Sequence, residues 1–345
     1  MSIQVIQFNE LSDWGIWEDI QKRSTNRSFL TAKPRIEFQQ KNGKETKQFL
    51  IKDKEETIGT LYVEIFRRKI AKYAYAPHGP VLLNNYTTSE EVYRSLVKFG
   101  KSFINEQKLN YFRIDPILEE SYQPLLKKTG WSKSNILGQA RHQWIMDISA
   151  SEDDILKSLK KDTRYYINRG QKKGINVIRA TDQSTVNDFI ELMHQTKERQ
   201  NFSNFDDSYY KNQWNELNSK GMCEIFVSYF ENKPLAGALM NYYDKTSYYS
   251  HAGSTSDQEL AKLAAPYFLH WEMIKYAKSI GCNTYDFWGV IPKGIEHDWR
   301  GLSDFKMKFE GTLRSLVGVH EVSSGSVMAL IQKAYDWKSY HKLKN

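Results

Sequence analysis

The sequence predicts an α/β (α+β) fold built as two similar units in tandem, on three observations. A length of 345 residues exceeds what one hydrophobic core usually fills and points to about two domains. Apolar residues at 40% and aromatics at 14% are ample for packed cores. A glycine-bearing apolar strand, an amphipathic helix and an aromatic strand also occur twice in the same order. Thr57-Ile58-Gly59-Thr60-Leu61-Tyr62-Val63 is echoed by Leu235-Ala236-Gly237-Ala238-Leu239-Met240-Asn241. The interval from strand glycine to the start of the aromatic strand is similar in both halves, from Gly59 to Tyr111 and from Gly237 to Tyr285, as a duplicated α/β unit requires.

In chain order, the first half contributes the Thr57–Val63 strand, a helix over Glu90–Gln107 and the strand Tyr111–Asp115. A strand over Gln143–Ile148 closes it. Ser149, Ser151, Glu152 and Asp153 then have the composition of a helix cap and first turn. The next helix, Asp154–Lys173, sets Lys157, Lys160, Lys161 and Arg164 near one face at spacings of three and four, and Ile155, Leu159, Tyr166 and Ile167 on another. Such a basic face is either solvated or tracks the phosphates of an RNA. Strands Glu224–Phe230 and Pro234–Tyr242 are joined directly by Glu231-Asn232-Lys233. A helix over Leu260–Ser279 follows, with Ser254–Asp257 as capping candidates. The aromatic strand Tyr285–Trp288 breaks at Gly289 into a polar loop, and an edge strand resumes at Phe305-Lys306. The last element is an amphipathic helix over Val327–Lys342 with Leu330, Ala334 and Trp337 turned inward.

Net charge is +8, which favours a polyanionic partner: nucleic acid, a nucleotide-sugar or an anionic membrane surface. The two cysteines, Cys223 and Cys282, have no metal spacing and suit a reducing cytoplasm. The amino-terminal residues lack a basic-then-apolar signal and no run of 18 apolar residues occurs, so the expectation is a soluble cytoplasmic protein. The sequence contains no GxxxxGK[ST], HExxH, GxSxG or paired-cysteine metal pattern, and no metal or cofactor is expected. Gln171-Lys172-Lys173-Gly174-Ile175-Asn176 partly matches the Q-x-x-G-x-G/A loop that holds the pyrophosphate of acetyl-CoA, but ends in Asn176 and reads as a helix end. Lys306, beside Phe305, is a cation on an aromatic platform. It suits phosphate binding or stabilisation of a transient oxyanion.

At the level of whole motifs the chain resembles the FemABX family of peptidoglycan aminoacyltransferases. The resemblance covers nearly the whole chain. It is carried by Lys160–Gly174 (KKDTRYYINRGQKKG), Glu191–Tyr210, Tyr248–Ser254 (YYSHAGS), Tyr267–Gly281, Tyr285–Val290 (YDFWGV) and Gly301–Gly311 (GLSDFKMKFEG). It implies two acetyltransferase-like (GNAT-type) domains with a groove between them. One comprises residues 1–147 plus 317–345, with the carboxy-terminal helix returning to it, and the other residues 148–316. The helical arm of some members is absent here. The implied reaction moves an amino acid from aminoacyl-tRNA to the stem-peptide side-chain amine of UDP-MurNAc-pentapeptide or lipid II, in interpeptide bridge formation for the cell wall. Peripheral contact with the inner membrane leaflet and no DNA partner are expected.

The resemblance also implies residue roles. Lys306, the lysine of the family's FK motif, would stabilise the oxyanion formed at the ester carbonyl. Asp115 would orient or deprotonate the attacking amine, and Tyr249 falls near a family tyrosine of the groove. Substrate binding falls to Lys41 (or Lys33), Tyr209, Phe305 and Arg199. Arg199 stands in for an arginine that many members carry just before the Tyr209-Tyr210 pair, where this chain reads Asn204-Phe205-Asp206-Asp207. The tRNA would lie on Lys157, Lys160, Lys161 and Arg164. Two other readings are an acyl-CoA-dependent GNAT-type N-acyltransferase acting on a cell-surface peptide or sugar, and a non-catalytic RNA-binding protein.

Overall fold

The computed structural model describes residues 2–69, 71–136, 138–200 and 205–342, with the side chains of 337–342 left aside. The chain divides into two compact units, Met1–His142 with Glu296–Asp298 and Arg314–Asn345, and Gln143–Ile295 with Trp299–Leu313. The strands are β1 (Ile3–Gln7), β2 (Glu45–Asp53), β3 (Glu56–Arg67), β4 (Lys72–Pro77), β5 (Val81–Leu82), β6 (Tyr111–Asp115), β7 (Ser132–Lys133), β8 (His142–Asp147), β9 (Asn176–Arg179), β10 (Cys223–Phe230), β11 (Lys233–Tyr243), β12 (Thr246–Ser254), β13 (Thr284–Gly289), β14 (Thr312–Ser315) and β15 (His320–Ser323).

Among the described residues of the first unit, an eight-stranded sheet runs β1-β2-β3-β4-β6-β15-β7, with β5 on β3. Its one parallel pair, β4 with β6, is joined through the helix Glu90–Gln107. That helix is capped by Ser89, whose hydroxyl accepts from Val92 N–H, and it buries Val92, Leu96, Val97, Phe103 and Ile104. They meet Phe112, Ile114, Val317 and Val322 in one apolar core. The return strand β15 is inserted between β6 and β7, so residues after 313 complete a sheet begun near residue 3.

The seven-stranded sheet of the second unit runs β14-β8-β13-β12-β11-β10-β9. It repeats the same device: the parallel pair β12 and β13, joined through the helix Ala265–Ser279. Tyr285 and Phe287 of β13 pack with Ile167, Trp271, Ile274 and Phe309 in the core. Both sheets are mixed, and the α/β expectation with two sheet-bearing units holds.

Four local expectations are corrected. The basic helix is two helices, Glu152–Ser158 and Lys161–Lys172, interrupted by Leu159 and Lys160 in extended backbone. The buried Leu159 side chain belongs to the core. The helix expected over Leu260–Ser279 is also broken, into Gln258–Ala261, capped by Asp257, and Ala265–Ser279, with Ala264 at φ 55° between them. Phe305 and Lys306 are not on an edge strand; they end the short helix Arg300–Lys306. In the helix Val327–Lys342 the expected facing is inverted: Leu330 and Ala334 are exposed, and Ala329 and Gln332 are buried. The Trp337 side chain lies outside the described residues.

Candidate active site

The parallel pairing of β12 and β13 is short. Thr246, Ser247 and Tyr248 pair with Thr284, Tyr285 and Asp286, and beyond them the strands part. Two irregularities open the gap. On β12 the register with β11 skips Ser250, between Tyr249 and His251. On β13 the register with β8 breaks between Asp286 and Gly289. Within that second break Trp288 adopts φ 62°, a left-handed conformation costly for a bulky residue, held by its N–H donating to Asp286 Oδ1 at 2.6 Å. The chain therefore turns at Trp288, one residue before the glycine that the sequence pointed to.

A cavity of about 480 Å³ occupies the place where the strands diverge. Its wall includes Tyr249, His251, His270, Trp288, Phe305 and Lys306, and is mainly apolar and aromatic. Lys306 is only 5% exposed, yet its side chain reaches this wall. The Nζ donates to Gly289 O at 2.8 Å and stands 5.5 Å from the centre of the Tyr249 ring. One of three ammonium donors is thus spent on locating the group. Burial lowers the Lys306 pKa to about 8, with Asp286 acting in the opposite sense to keep the charge. The short helix below it is braced against the loop after β13. Arg300 donates to Ile291 O and Pro292 O at 3.0 and 2.6 Å, and Ser303 Oγ accepts from Ile291 N–H at 2.9 Å.

His270 is the group in this wall that sequence reading missed. Its Nδ1 is 2.8 Å from the Tyr285 hydroxyl, and its buried Nε2 has no hydrogen-bond partner. Burial, then the Lys306 charge, lowers its pKa to about 3, so the imidazole is neutral beside the ammonium. The signal was a single histidine interrupting the apolar run Tyr267-Phe268-Leu269-His270-Trp271.

Lys306, Tyr249, Phe305 and Arg199 thus share one cavity wall. Burial pushes the Tyr249 hydroxyl well above its usual range, so it stays protonated. Phe305 packs edge-on against Tyr267 with centroids 5.0 Å apart. Arg199, near the end of the helix Gln183–Gln200, directs its guanidinium to Ser254 O, Thr255 O, Ser254 Oγ and Ser256 Oγ at 2.9–3.3 Å. It fastens the end of β12 and is largely committed there. Tyr209 stacks on Phe205 at 4.2 Å, and Phe205 in turn lines the cavity. Asn204 lies outside the described residues.

The remaining candidates are elsewhere. Asp115 ends β6 in the first unit, 3% exposed, and accepts from the Tyr75 hydroxyl at 2.6 Å and Gln139 N–H at 2.7 Å. Burial raises its pKa to about 6 against the pull of those two donors. A side chain at Gly138 would collide with Asp115 Oδ2 at 2.3 Å, so this glycine is needed for the close approach. Lys41 is exposed in the last turn of the helix Lys33–Lys41, and Lys33 lies 5.0 Å over the Trp14 ring. On the basic segment, Lys157, Lys160 and Lys161 are exposed and Arg164 is half-buried. Lys160 Nζ donates to Met307 O at 2.9 Å, and Arg164 donates to Lys157 O at 2.7 Å and to Leu159 O. Arg164 stitches the helix break, and Lys160 ties it to the residue after the helix Arg300–Lys306.

Among known proteins, the lipid II:glycine glycyltransferase of Staphylococcus epidermidis (strain RP62A) is 24% identical over 307 residues, covering 67% of this chain and 72% of that protein. The protein of the same name from Staphylococcus haemolyticus is 25% identical over 258 residues, covering 55% and 60%. Among solved structures, FemX superposes with a TM-score of 0.78 at 19% identity, covering 96% of this chain and all of that one. A tandem GNAT protein of clavulanic acid biosynthesis gives 0.60 at 9% identity, covering 94% and 99%. These structural likenesses establish the shared fold. The family model described as the FemAB family matches residues 128–230 and 220–334, and the chain belongs to that family.

Proposed function

We propose that this FemAB-family aminoacyltransferase moves an amino acid from aminoacyl-tRNA to the side-chain amine of the stem peptide of a peptidoglycan precursor, as in interpeptide bridge formation. The observation that carries the reading is Lys306: a buried ammonium, fixed by the Gly289 carbonyl, at the wall of an apolar cavity. An aminoacyl ester is already activated and needs no enzyme nucleophile. It needs an amine brought to its carbonyl carbon and a donor for the oxygen that becomes negative. The amine lone pair forms the new C–N bond while the carbonyl π electrons move to oxygen, and Lys306 stabilises that oxyanion. Collapse restores the carbonyl and breaks the ester C–O bond. The ribose oxygen leaves with the proton that the amine sheds, giving an amide and deacylated tRNA. With a pKa near 8, Lys306 is mostly charged at neutral pH, and the low-polarity wall strengthens its effect.

Asp115 is assigned the proton of the acceptor ammonium, since a carboxylate with a pKa near 6 is ionised yet basic at pH 7. Lys41, Tyr209 and Arg199 are assigned to precursor binding, with Tyr249 and Phe305 shaping the wall beside Lys306. The exposed Lys157, Lys160 and Lys161, with the half-buried Arg164, are assigned to tRNA phosphates. The acceptor is lipid II or its soluble UDP-linked precursor, reached on the cytoplasmic side of the membrane. The relatives named lipid II:glycine glycyltransferase favour the lipid-linked form.

The acyl-CoA reading draws on the same splayed strands, but Gln171–Gly174 lies at the carboxy-terminal end of the helix Lys161–Lys172. The helix dipole there disfavours a pyrophosphate. The deciding experiment incubates the protein with charged tRNA and either lipid II or UDP-MurNAc-pentapeptide. Mass spectrometry should show the increment of one aminoacyl residue, lost in Lys306→Met. No product with any charged tRNA on either acceptor, together with saturable acetyl-CoA binding by calorimetry, selects the other chemistry.

A further inference from the structure

The helix Val327–Lys342 is attached to the first unit by its polar side. Gln332 Oε1 accepts from Lys72 N–H at 3.2 Å and Asn110 Nδ2 at 2.8 Å, and Ala329 O accepts from the Tyr111 hydroxyl at 2.6 Å. Asp336 pairs with the buried guanidinium of Arg113. Four directed contacts along about two turns fix the rotation of the helix about its axis. Its outward side is then settled: Val327 at 73% exposure, Leu330 at 65%, and Met328, Ile331 and Tyr335 near half. With Ala334, these side chains occupy roughly 160° of the helix circumference at 3.6 residues per turn. A helix that buries glutamine and aspartate while showing valine, leucine, isoleucine, methionine and tyrosine to water is inverted relative to ordinary surface helices. A continuous exposed apolar patch of this kind marks an interaction surface.

We infer that this face is a docking surface for a lipid bilayer carrying anionic headgroups. Charge selects that occupant. From Val327 to Asn345 the chain carries Lys333, Lys338, Lys342 and Lys344 against Asp336 alone, and Asp336 is turned inward onto Arg113. The uncompensated charge of the segment is positive, as is the +8 of the whole chain. An apolar helix face in a lysine-rich segment is the pattern of a helix lying in the headgroup plane. No helix among the described residues is long and apolar enough to cross a membrane, so the contact is peripheral. The choice of a bilayer also rests on the reading above, in which the acceptor is carried on a lipid.

The test uses the full chain and vesicles, with neither tRNA nor acceptor present. Co-sedimentation compares vesicles of phosphatidylglycerol and phosphatidylcholine in equal parts with vesicles of phosphatidylcholine alone. The triple variant Val327→Ser/Leu330→Ser/Ile331→Ser alters exposed positions only, and a circular-dichroism melt verifies its fold. The wild type is expected to partition onto anionic vesicles at least about tenfold more strongly than the variant, and more weakly as salt rises. Equal partitioning of the two proteins, or no binding by the wild type, overturns the inference. A wild-type dimer in light scattering that the triple variant dissolves overturns it in favour of a second copy of the chain. Equal uptake by neutral vesicles overturns its anionic component. Binding is read without catalysis, so a failure of aminoacyl transfer leaves it standing. Conversely, an absence of vesicle binding leaves transfer to the soluble UDP-linked acceptor standing.

Discussion

At the scale of single residues, Lys306 combines a cost to the fold with the proposed role of oxyanion donor. Replacing it by methionine keeps the volume and removes the charge. An oxyanion donor lost in this way lowers kcat by about 100–1,000-fold, measurable in single-turnover transfer assays. The same variant reports on stability. Folded Lys306 releases its proton near pH 8, whereas an unfolded lysine keeps it to about 10.5. Between those values the unfolded chain binds more protons, so stability rises with pH there, and below about 8 the full penalty of a buried charge is present. Denaturant melts of wild type against Lys306→Met should therefore converge in the wild type's favour between pH 8 and 10.5. A difference that is flat across that window means the lysine is not buried in its charged form. Asp115 is its counterpart in pH dependence. With its pKa near 6, it loses basicity as pH falls through that value. The rate of transfer should drop on the acid side with a midpoint near 6 in the wild type, and Asp115→Asn should abolish that limb together with most of the rate.

At the scale of elements, the basic segment separates cations that hold the fold from cations that are available to a ligand. Arg164 donates to a carbonyl of the helix break and Lys160 to that of the distant Met307, so Arg164→Ala and Lys160→Ala should each cost on the order of 1 kcal/mol in chemical denaturation. Lys157→Ala and Lys161→Ala should leave stability unchanged and reduce the salt slope of tRNA binding by about one each. A second element contact is tighter. Gly253 of β12 faces the backbone of Leu192, where an added Cβ would lie 2.4 Å from the Leu192 carbonyl. Gly253→Ala should destabilise the second unit by about 3 kcal/mol or more, because backbone cannot yield as a side chain does. These contacts show what the sequence made legible and what it hid. The strand Tyr111–Asp115 and the helix Glu90–Gln107 were readable residue for residue, because amphipathic spacing and an aromatic run are local signals. The helix break at Leu159 and the short helix ending at Lys306 were not, because long-range packing decides them: Lys160 reaches Met307 and Lys306 reaches Gly289. The cavity was legible only as a glycine-broken strand. Its causes are the skipped Ser250 and the left-handed Trp288, which no residue preference announces. The carboxy-terminal helix was placed correctly along the chain and read with the wrong side inward. Its apolar stripe looked like a core face, and the polar partners Asn110 and Arg113 that claim the other side are more than 200 residues away.

At the scale of the molecule, the two units differ in how their sheets are closed by the chain. The second is almost continuous in sequence, whereas the first needs β15 and the final helix to return after it. The return completes more than a sheet. Arg113, 1% exposed, lies 4.5 and 4.8 Å over the rings of Tyr73 and Tyr111, and both carboxylates that balance it, Glu321 and Asp336, come from the returning segment. Val317 and Val322 from the same segment fill the core. A chain ending at residue 311 would leave a buried guanidinium without either partner, at a cost of about 3–5 kcal/mol, in addition to the lost strand. Domains are stable by only about 5–15 kcal/mol, so the first unit should not survive this truncation. A chain of residues 143–315, by contrast, keeps all of β9 through β14 and nearly all of β8, together with the Lys306 cavity. Hydrogen exchange distinguishes the two. In the truncated chain the amides of β4 and β6 should exchange freely while those of β10, β11 and β12 stay protected, and the excised second unit should melt cooperatively. If β6 keeps its protection without residues 312–345, the returning segment is an accessory to the first unit and not part of its folding core.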